Sequence, residues 1–392
     1  MFFTLCIGHS YLPDRLMQTL VVPIIKTKTG DPSNLANYRP ISLATVAARV
    51  LDSLLDRHLA KHLQLNDAQF GFRPGLSTES AILCLKQTVH YYTKRKTSIY
   101  ACYLDLSKAF DLVSYNLLWE KLKETSVPNE VTSLFRFWYG HQCNRVRWAG
   151  SYSDEYRLEC GVRQGSLSSP RLFNLYMNNL LNQLSSTHVG CHIGGVCVNN
   201  ISYADDMVLL SPSIGALRRL LAVCEDYARA HGLRYNVSKS EFMVFKAHNR
   251  QCIDDPSVTL YGSALKKLSD NVDMERERRS LLSVRCNMLA RRFACCTKEV
   301  KITLFKAYCQ SFYTCSLWVD YTRKAYSGLR VQYNNAFKAL LGLSFGAIMR
   351  KRCASMLRRL RESPNTILLA LADSFDSPMV KRWVQLHVVQ DS

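Results

Sequence analysis

Two adjacent carboxylates, Asp205 and Asp206, lie inside an apolar stretch, NNISYADDMVLLSPS. Ile201 and Tyr203 alternate with polar residues before them, and Met207-Val208-Leu209-Leu210 follows. This is the pattern of two strands joined by a tight turn, where aspartate is locally favoured. Alone, the pair reads either as a solvated turn or as charge carried into a buried sheet. A second apolar strand, YACYLDLSKAFD, ends in Asp105, a hundred residues earlier, so only a fold can bring the three together. Carboxylates about 4 Å apart repel by roughly 4 kcal/mol at an effective dielectric of ~20, which a structure tolerates only with protons or cations between them. Mg²⁺ is hard, prefers oxygen, and is held by one or two carboxylates plus substrate phosphates. Two such ions about 3.5–4 Å apart serve in-line phosphoryl displacement. The chemistry expected of the trio is therefore two-metal nucleotidyl transfer.

That chemistry needs cations on a triphosphate. Lys26, Arg39 (in NYRPISL) and Arg73 (in QFGFRPG) sit in loops beside strand-like or turn residues, and guanidinium groups grip phosphate as a bidentate fork. Each taken singly also reads as ordinary surface charge. GVRQGSLSSPRLF (161–173) is a glycine-bounded loop carrying Gln164 and Gly165 ahead of a proline-started helix. Such a loop suits a base or sugar. Lys239, in the turn after an alternating strand, is placed to protonate leaving pyrophosphate or to be merely solvated.

The elements that must position these residues follow from periodicity. A strand is expected over 20–25 and a helix over 42–65, with Val46, Val50, Leu54 and Leu51, Leu55, Leu59 lining one side and Arg49, Asp52, Asp56 and Lys61 off it. Ser77 reads as the N-cap of a second helix, with Glu79 in its first turn. A strand is expected over 99–106, and a helix opens at Ser169-Pro170. A hairpin is expected over 196–210, then a helix over 216–231 closed by Gly232, and a strand over 233–237. Strands and helices mix without a βα repeat, which predicts an α+β fold. From about Met274 the chain turns basic and helical, so a boundary is set near Lys267.

Composition agrees. The chain has 392 residues, 47% hydrophobic and 21% charged, enough to bury a core and too much for one ordinary domain. Lys and Arg outnumber Asp and Glu, 51 to 31, and a net charge of +20 points to a polyanionic partner. Fifteen cysteines are scattered with no CxxC pair. With no signal peptide and no run of about 18 apolar residues, the expectation is an intracellular protein of nucleus or cytoplasm, with reduced thiols and no membrane partner.

In order and spacing, NYRPISL, QFGFRPG-ST, YLDLSKAFD, GVRQGS-SP, SYADD and GLRYNVSKSE resemble the reverse transcriptase domain of non-LTR (LINE-type) retrotransposons. The resemblance implies a right-hand polymerase: fingers and palm, the latter with an antiparallel sheet, over 1–267, a helical thumb-like region over 268–347, and a basic C-terminal tail over 348–392. It makes Asp105, Asp205 and Asp206 the palm carboxylates. Asp105 and Asp205 stand ahead of Asp206 as direct ligands of two Mg²⁺ ions, with Mn²⁺ as a substitute, and the Leu106 carbonyl adds a ligand. Lys26 and Arg39 fall where the fingers hold the triphosphate, and Gln164 and Gly165 where a loop touches the incoming nucleotide. Phe110, five residues after Asp105, falls where an aromatic blocks a 2′-hydroxyl. Polymerases that use ribonucleotides carry an acidic residue there and Gly-Asp-Asp at the hairpin, unlike this chain.

The implied partners are an RNA template, a DNA primer or target, and dNTPs; the oligomeric state is left open. The family follows the 233–245 segment with an aromatic-x-Leu-Gly hairpin that grips the primer. Here GSALKKLSDNVDM (262–274) leads directly into the thumb-like helices, as in a shortened copy. Two expectations therefore stand: an RNA-directed DNA polymerase, or a catalytically inactive nucleic-acid-binding remnant of one.

Overall fold

A computed structural model describes residues 1–26, 31–247, 257–267 and 345–373, with short pieces at 296–297, 299–300, 302–304, 327–328 and 330–331. Helices α1 (Phe2–Gly8) and α2 (Asp14–Met17) lead into strand β1 (Gln18–Ile25), which pairs antiparallel with β2 (Tyr38–Ala44). Helix α3 (Val46–His62) follows, its Thr45 hydroxyl accepting the Ala48 N–H at 3.2 Å. The helix expected from 42 thus starts later, and Val46 and Val50, expected on its apolar side, are exposed because the face carrying Leu51, Leu55 and Leu59 is the one turned to the core. Residues 42–44 complete β2, where pairing with β1 satisfies their backbone, and Thr45 supplies the cap. Helix α4 (Thr78–Lys94) begins as expected after Ser77, whose hydroxyl accepts the Ser80 N–H at 3.3 Å.

The middle of the chain supplies β3 (Ile99–Asp105), a 3-10 turn (Ala109–Leu112), α5 (Tyr115–Lys123), α6 (Asn129–His141), β4 (Cys143–Trp148) and β5 (Ser151–Tyr152). Next come α7 (Ser169–Ser186), with Pro170 in its first turn, a short hairpin of β6 (His192–Ile193) and β7 (Val196–Cys197), and the pair β8 (Asn200–Tyr203) and β9 (Asp206–Ser211). Helix α8 (Ile214–Ala230) is followed by Gly232 at φ 66°, the left-handed residue that ends it. The strand expected over 233–237 is a single bridge between Tyr235 and Leu106, and the strand proper is β10 (Glu241–Phe245). Residues 233–237 alternate correctly but have a neighbour at one position only.

A hairpin of β11 (Thr259–Leu260) and β12 (Ser263–Ala264) turns at Tyr261-Gly262 and precedes β13 (Lys266–Lys267). The thumb-like region lies almost wholly outside the described residues, as do its basic positions Arg291, Arg292, Lys298, Lys301 and Lys306. Two further helices, α9 (Phe345–Arg361) and α10 (Thr366–Asp373), are described. Among the described residues no helix is long and apolar enough to cross a membrane.

Two sheets organise this α+β chain. One runs β2-β1-β4-β5, the other β13-β10-β3-β9-β8. In the second, β3 is antiparallel to both β9 and β10. Successive strand side chains point to opposite faces, and both faces of this sheet are buried. Cys102, Leu104, Met207 and Leu209 enter a core shared with α3, α7 and α8. Ile99, Ala101, Val208 and Leu210 enter a second core, with Phe70, Leu83 and Cys84. Cys353, Met356, Leu357, Leu360, Ile367 and Leu368 belong to that second core. Arg359 also pairs with Glu79 at 2.7 Å. What reads in sequence as a basic tail is thus, over 345–373, a helical cover for the sheet. Its basic residues alternate with the apolar ones at helical spacing, and the apolar side decides.

Candidate active site

Register places the carboxylates. Asp105, last in β3, lies opposite Asp206, first in β9, and Tyr203 lies opposite Asp206 across the hairpin, leaving Ala204 and Asp205 as a two-residue turn. Directly opposed residues in an antiparallel pair have Cβ atoms about 4.5–5.5 Å apart, so three acidic side chains from segments a hundred residues apart share one sheet end. Burial pushes the Asp205 carboxyl above the usual carboxylate range and the Asp105 charge pushes it further, against a backbone hydrogen bond and the charges of Arg39 and Lys239. Asp206 is raised by burial, then by Asp205 and Asp105, against Lys239.

The chain beyond β3 is clamped to the chain before β10. Asn236 N–H donates to Asp105 O at 2.7 Å, Ser107 N–H to Arg234 O at 2.9 Å, and Asp105 N–H to Ser240 Oγ at 3.2 Å. The two bonds flanking the Leu106–Tyr235 bridge are made by Asp105 and Ser107, so the bridge does not use the Leu106 carbonyl. The same turn carries Lys239, exposed, with Nζ 3.7 Å from Asp105 Oδ2.

On the first sheet Arg39 opposes Ile24, and Lys26 continues the β1 edge with its N–H donating to Asn37 O at 2.7 Å. Alternation sets Lys26 and Arg39 as diagonal neighbours on one face. Both are exposed, and Arg39 is near enough to act on Asp205. Arg73 is placed differently. Its guanidinium pairs with Asp67 at 3.3 Å and donates to the carbonyls of Asn66, at 3.0 Å, and Gln69, at 3.3 Å. Its donors close their own loop, which is a sufficient reason for an arginine there.

The 161–168 loop joins the two sheets. Gln164 Nε2 donates to Asp111 Oδ1 at 2.9 Å, while Ser42 N–H of β2 donates to Gln164 O at 2.8 Å. Gly165, at φ 103°, passes so close to β2 that a Cβ there would stand 3.2 Å from Ser42 O. Val162 N–H donates to Phe110 O at 2.7 Å. The Phe110 ring stacks on the buried Phe173 at 4.6 Å between centroids, leaving it half-buried at the edge of the core.

Behind this loop lies a constellation that sequence reasoning missed. Asp52, expected off the buried side of α3, is 3% exposed. It accepts from Ser166 Oγ at 2.6 Å, Leu167 N–H at 2.7 Å and Ser168 Oγ at 2.5 Å, and lies 3.8 Å from Arg163. The Arg163 guanidinium is itself buried, 4.0 Å over the Trp138 ring. Asp52 thus stabilises the residues that start α7, as a carboxylate does at a helix N-terminus. Its position one residue from the apolar Leu51 was the available signal.

The oxygen-only donor set fits a hard cation: Asp105 and Asp205 are half-buried and Asp206 is exposed, the three repel one another, and the charges of Arg39 and Lys239 act on Asp205. Among the described residues no three His, Cys, Asp or Glu side chains close around a single point.

Comparison with known proteins bears on this geometry. Residues 25–297 match the family described as reverse transcriptase (RNA-dependent DNA polymerase). The Pol polyprotein of a type-2 retrotransposable element of Drosophila melanogaster is 30% identical over 239 residues, covering 60% of this chain and 22% of that protein. The RNA-directed DNA polymerase from mobile element jockey of Drosophila funebris is 27% identical over 265 residues, 65% of this chain and 28% of that one. The chain thus spans between about a fifth and a third of these relatives. Among solved structures, apo telomerase from Candida tropicalis aligns over 91% of this chain and 69% of its own, with a TM-score of 0.47 and 13% identity.

Proposed function

Because this chain belongs to the reverse transcriptase family, and its relatives come from non-LTR retrotransposons, we propose that it copies RNA into DNA at the carboxylate cluster. The observation that carries the reading is the register setting Asp105 against Asp206 beside the Ala204-Asp205 turn. We assign the β2-β1-β4-β5 sheet to the fingers of a right-hand polymerase, the five-stranded sheet to the palm, and 268–347 to the thumb.

Mg²⁺, or Mn²⁺ in its place, would be held by Asp105, Asp205 and the Leu106 carbonyl with Asp206 beside them, and when bound supplies the positive charge that offsets the carboxylates and the phosphoryl oxygens. The reaction is attack of a primer 3′-oxygen on the α-phosphorus of a dNTP. One O–P bond forms as the bond to the bridging oxygen breaks, and pyrophosphate leaves. Lys26 and Arg39 hold the triphosphate from the fingers face. Gln164 and Gly165 line the nucleotide, fixed by Asp111 and Ser42. Phe110, backed by Phe173, excludes a 2′-hydroxyl. Lys239, with Nζ 3.7 Å from Asp105, hands a proton to the leaving group. A basic chain of +20 binds the phosphate backbones of RNA template and DNA primer by counterion release.

The second reading, a binding remnant without catalysis, rests on the sequence of 262–274, which carries no aromatic-x-Leu-Gly segment and of which 268–274 lie outside the described residues. Extension of a DNA primer on an RNA template with Mg²⁺ separates the two. The purified chain is expected to extend the primer, and Asp205→Asn to abolish extension. Template binding without extension selects the remnant, and extension that survives Asp205→Asn removes the metal assignment.

A further inference from the structure

The turn that carries Asp205 is not self-sufficient. Ala204, its first central residue, has φ 60°, where an L-residue other than glycine or asparagine is strained by roughly 1–2 kcal/mol. Such a conformation persists only when the surroundings over-determine it. The surroundings come from the segment Ala68–Gly71, far away in sequence.

Gln69 is 1% exposed. Its Oε1 accepts the N–H of Ala204 at 2.9 Å and that of Gly71 at 2.9 Å, and its Nε2 donates to Ala204 O at 3.4 Å. One side-chain amide therefore engages both backbone groups of the strained residue. Phe70 N–H donates to Ser202 O, and Ser202 N–H to Ala68 O, each at 2.8 Å, so the segment is also joined to β8 by a parallel bridge at Gln69–Ser202. Gly71 permits the approach: a Cβ there would stand 2.4 Å from Ala204 N. Its carbonyl is held from α7 by Asn174 Nδ2 at 2.8 Å.

The clamp has its own anchor. Asp67 takes the Arg73 ion pair and the Thr366 N–H at 2.8 Å, and its carbonyl accepts Asn365 Nδ2 at 2.7 Å. The start of helix α10 thereby fastens the loop as well.

We propose that Gln69 is the positioning residue of the carboxylate turn: its amide fixes the Ala204 backbone from below and so aims Asp205 and Asp206, with Gly71 providing the space. The proposal rests on the polymerase reading only for the identity of the reaction, since the aim of the carboxylates shows equally in the binding of a cation alone.

The test uses the full chain, with Gln69→Ala, Gln69→Glu and Gly71→Ala beside wild type. Primer extension gives kcat, KM for dNTP and the Mg²⁺ concentration for half-maximal rate. Terbium luminescence, sensitised by the adjacent Tyr203, gives cation affinity without catalysis. Loss of an outer-shell partner lowers metal affinity or activity by about 10- to 100-fold, so kcat is expected to fall and half-saturating Mg²⁺ and Tb³⁺ to rise by that order, with KM for dNTP within about threefold. If Gln69→Ala does not fold, Gln69→Glu keeps the volume and the accepted bonds, loses the donor to Ala204 O, and is expected to shift in the same direction.

A lower melting temperature with unchanged kcat and cation affinity overturns the proposal and leaves Gln69 a core residue. Terbium binding weakened in the variants while wild type extends no primer sinks the polymerase reading and keeps the positioning role. Failure of wild type to bind terbium overturns both.

Discussion

Two glycine-bearing loops flank the carboxylate-bearing part of the five-stranded sheet, and they look alike in sequence: QFGFRPG (69–75) and GVRQGS (161–166) each carry a glutamine and an arginine. They do opposite things. The first lies beneath the turn and bonds to Ala204 through Gln69. The second spans from the 3-10 turn to β2, with Gln164 on Asp111 and Gly165 against Ser42. Their arginines, the residues that sequence most readily offers to a phosphate, are both engaged elsewhere, Arg73 with Asp67 and Arg163 with Asp52 and Trp138. An arginine in a polymerase loop is thus as readily the loop's own fastening as a substrate contact. The cations that act on Asp205 are Arg39, from a strand, and Lys239, from a turn, and Lys26 lies on the same face as Arg39.

The largest expected effect tests the second loop's fastening. Asp52→Ala leaves Arg163 buried without its partner, which costs about 3–5 kcal/mol. Denaturant unfolding should report that loss, and the double variant Asp52→Ala with Arg163→Met should recover part of it. A single-variant loss below about 1 kcal/mol would mean that the loop does not depend on the pair.

Next in size is Phe110→Ala. Opening the space over Phe173 is expected to reduce discrimination against ribonucleotides by about 10- to 100-fold in kcat/KM ratios. Unchanged discrimination would make Phe110 a core aromatic only and detach the second loop from sugar selection.

A smaller change distinguishes the arginines. Arg73→Met should destabilise the chain by about 1–2 kcal/mol through lost hydrogen bonds and leave the KM for dNTP unaltered, whereas Arg39→Met should raise that KM. A several-fold KM rise for Arg73→Met would return that arginine to the triphosphate, where the sequence expectation placed it, and erase the contrast between loops.

The smallest effect concerns the carboxylates that both loops serve. Mg²⁺ at about five times its dissociation constant should add about 1 kcal/mol of stability in thermal melting, because it offsets repulsion among Asp105, Asp205 and Asp206. Asp205→Asn should weaken that gain, and an equal gain in that variant would place the ion elsewhere.

The carboxylate strands were legible because their signal is local. Alternation over β3 and β9 shows which residues face which core, and it brings Asp105 and the 205–206 turn to strand ends. The helix starts at Ser77 and Pro170 were legible for the same reason, since a capping hydroxyl or a first-turn proline acts within a few residues. The partners of polar side chains were not. Gln69 and Ala204 are 135 residues apart, and Asp52 and Ser168 are 116 apart; no short-range pattern links them. The strand expected at 233–237 failed similarly: alternation makes a segment able to pair, and only a neighbour with free backbone groups makes it a strand. The helical part of the 348–392 stretch reads in sequence as a tail because charge is easier to see there than the apolar stripe it flanks.

Sequence alone determined the inventory: an α+β chain, basic, with three acidic groups at strand ends and family motifs in order. That much follows from side-chain periodicity and residue type, which act over a few positions. The tertiary structure decided which charges face the carboxylates and which are consumed in fastening loops, and it decided that a glutamine from a distant segment would hold the strained turn. Those outcomes depend on which buried donors and acceptors meet, and burial makes each unmet group costly enough that long-range pairing, rather than local preference, assigns the roles.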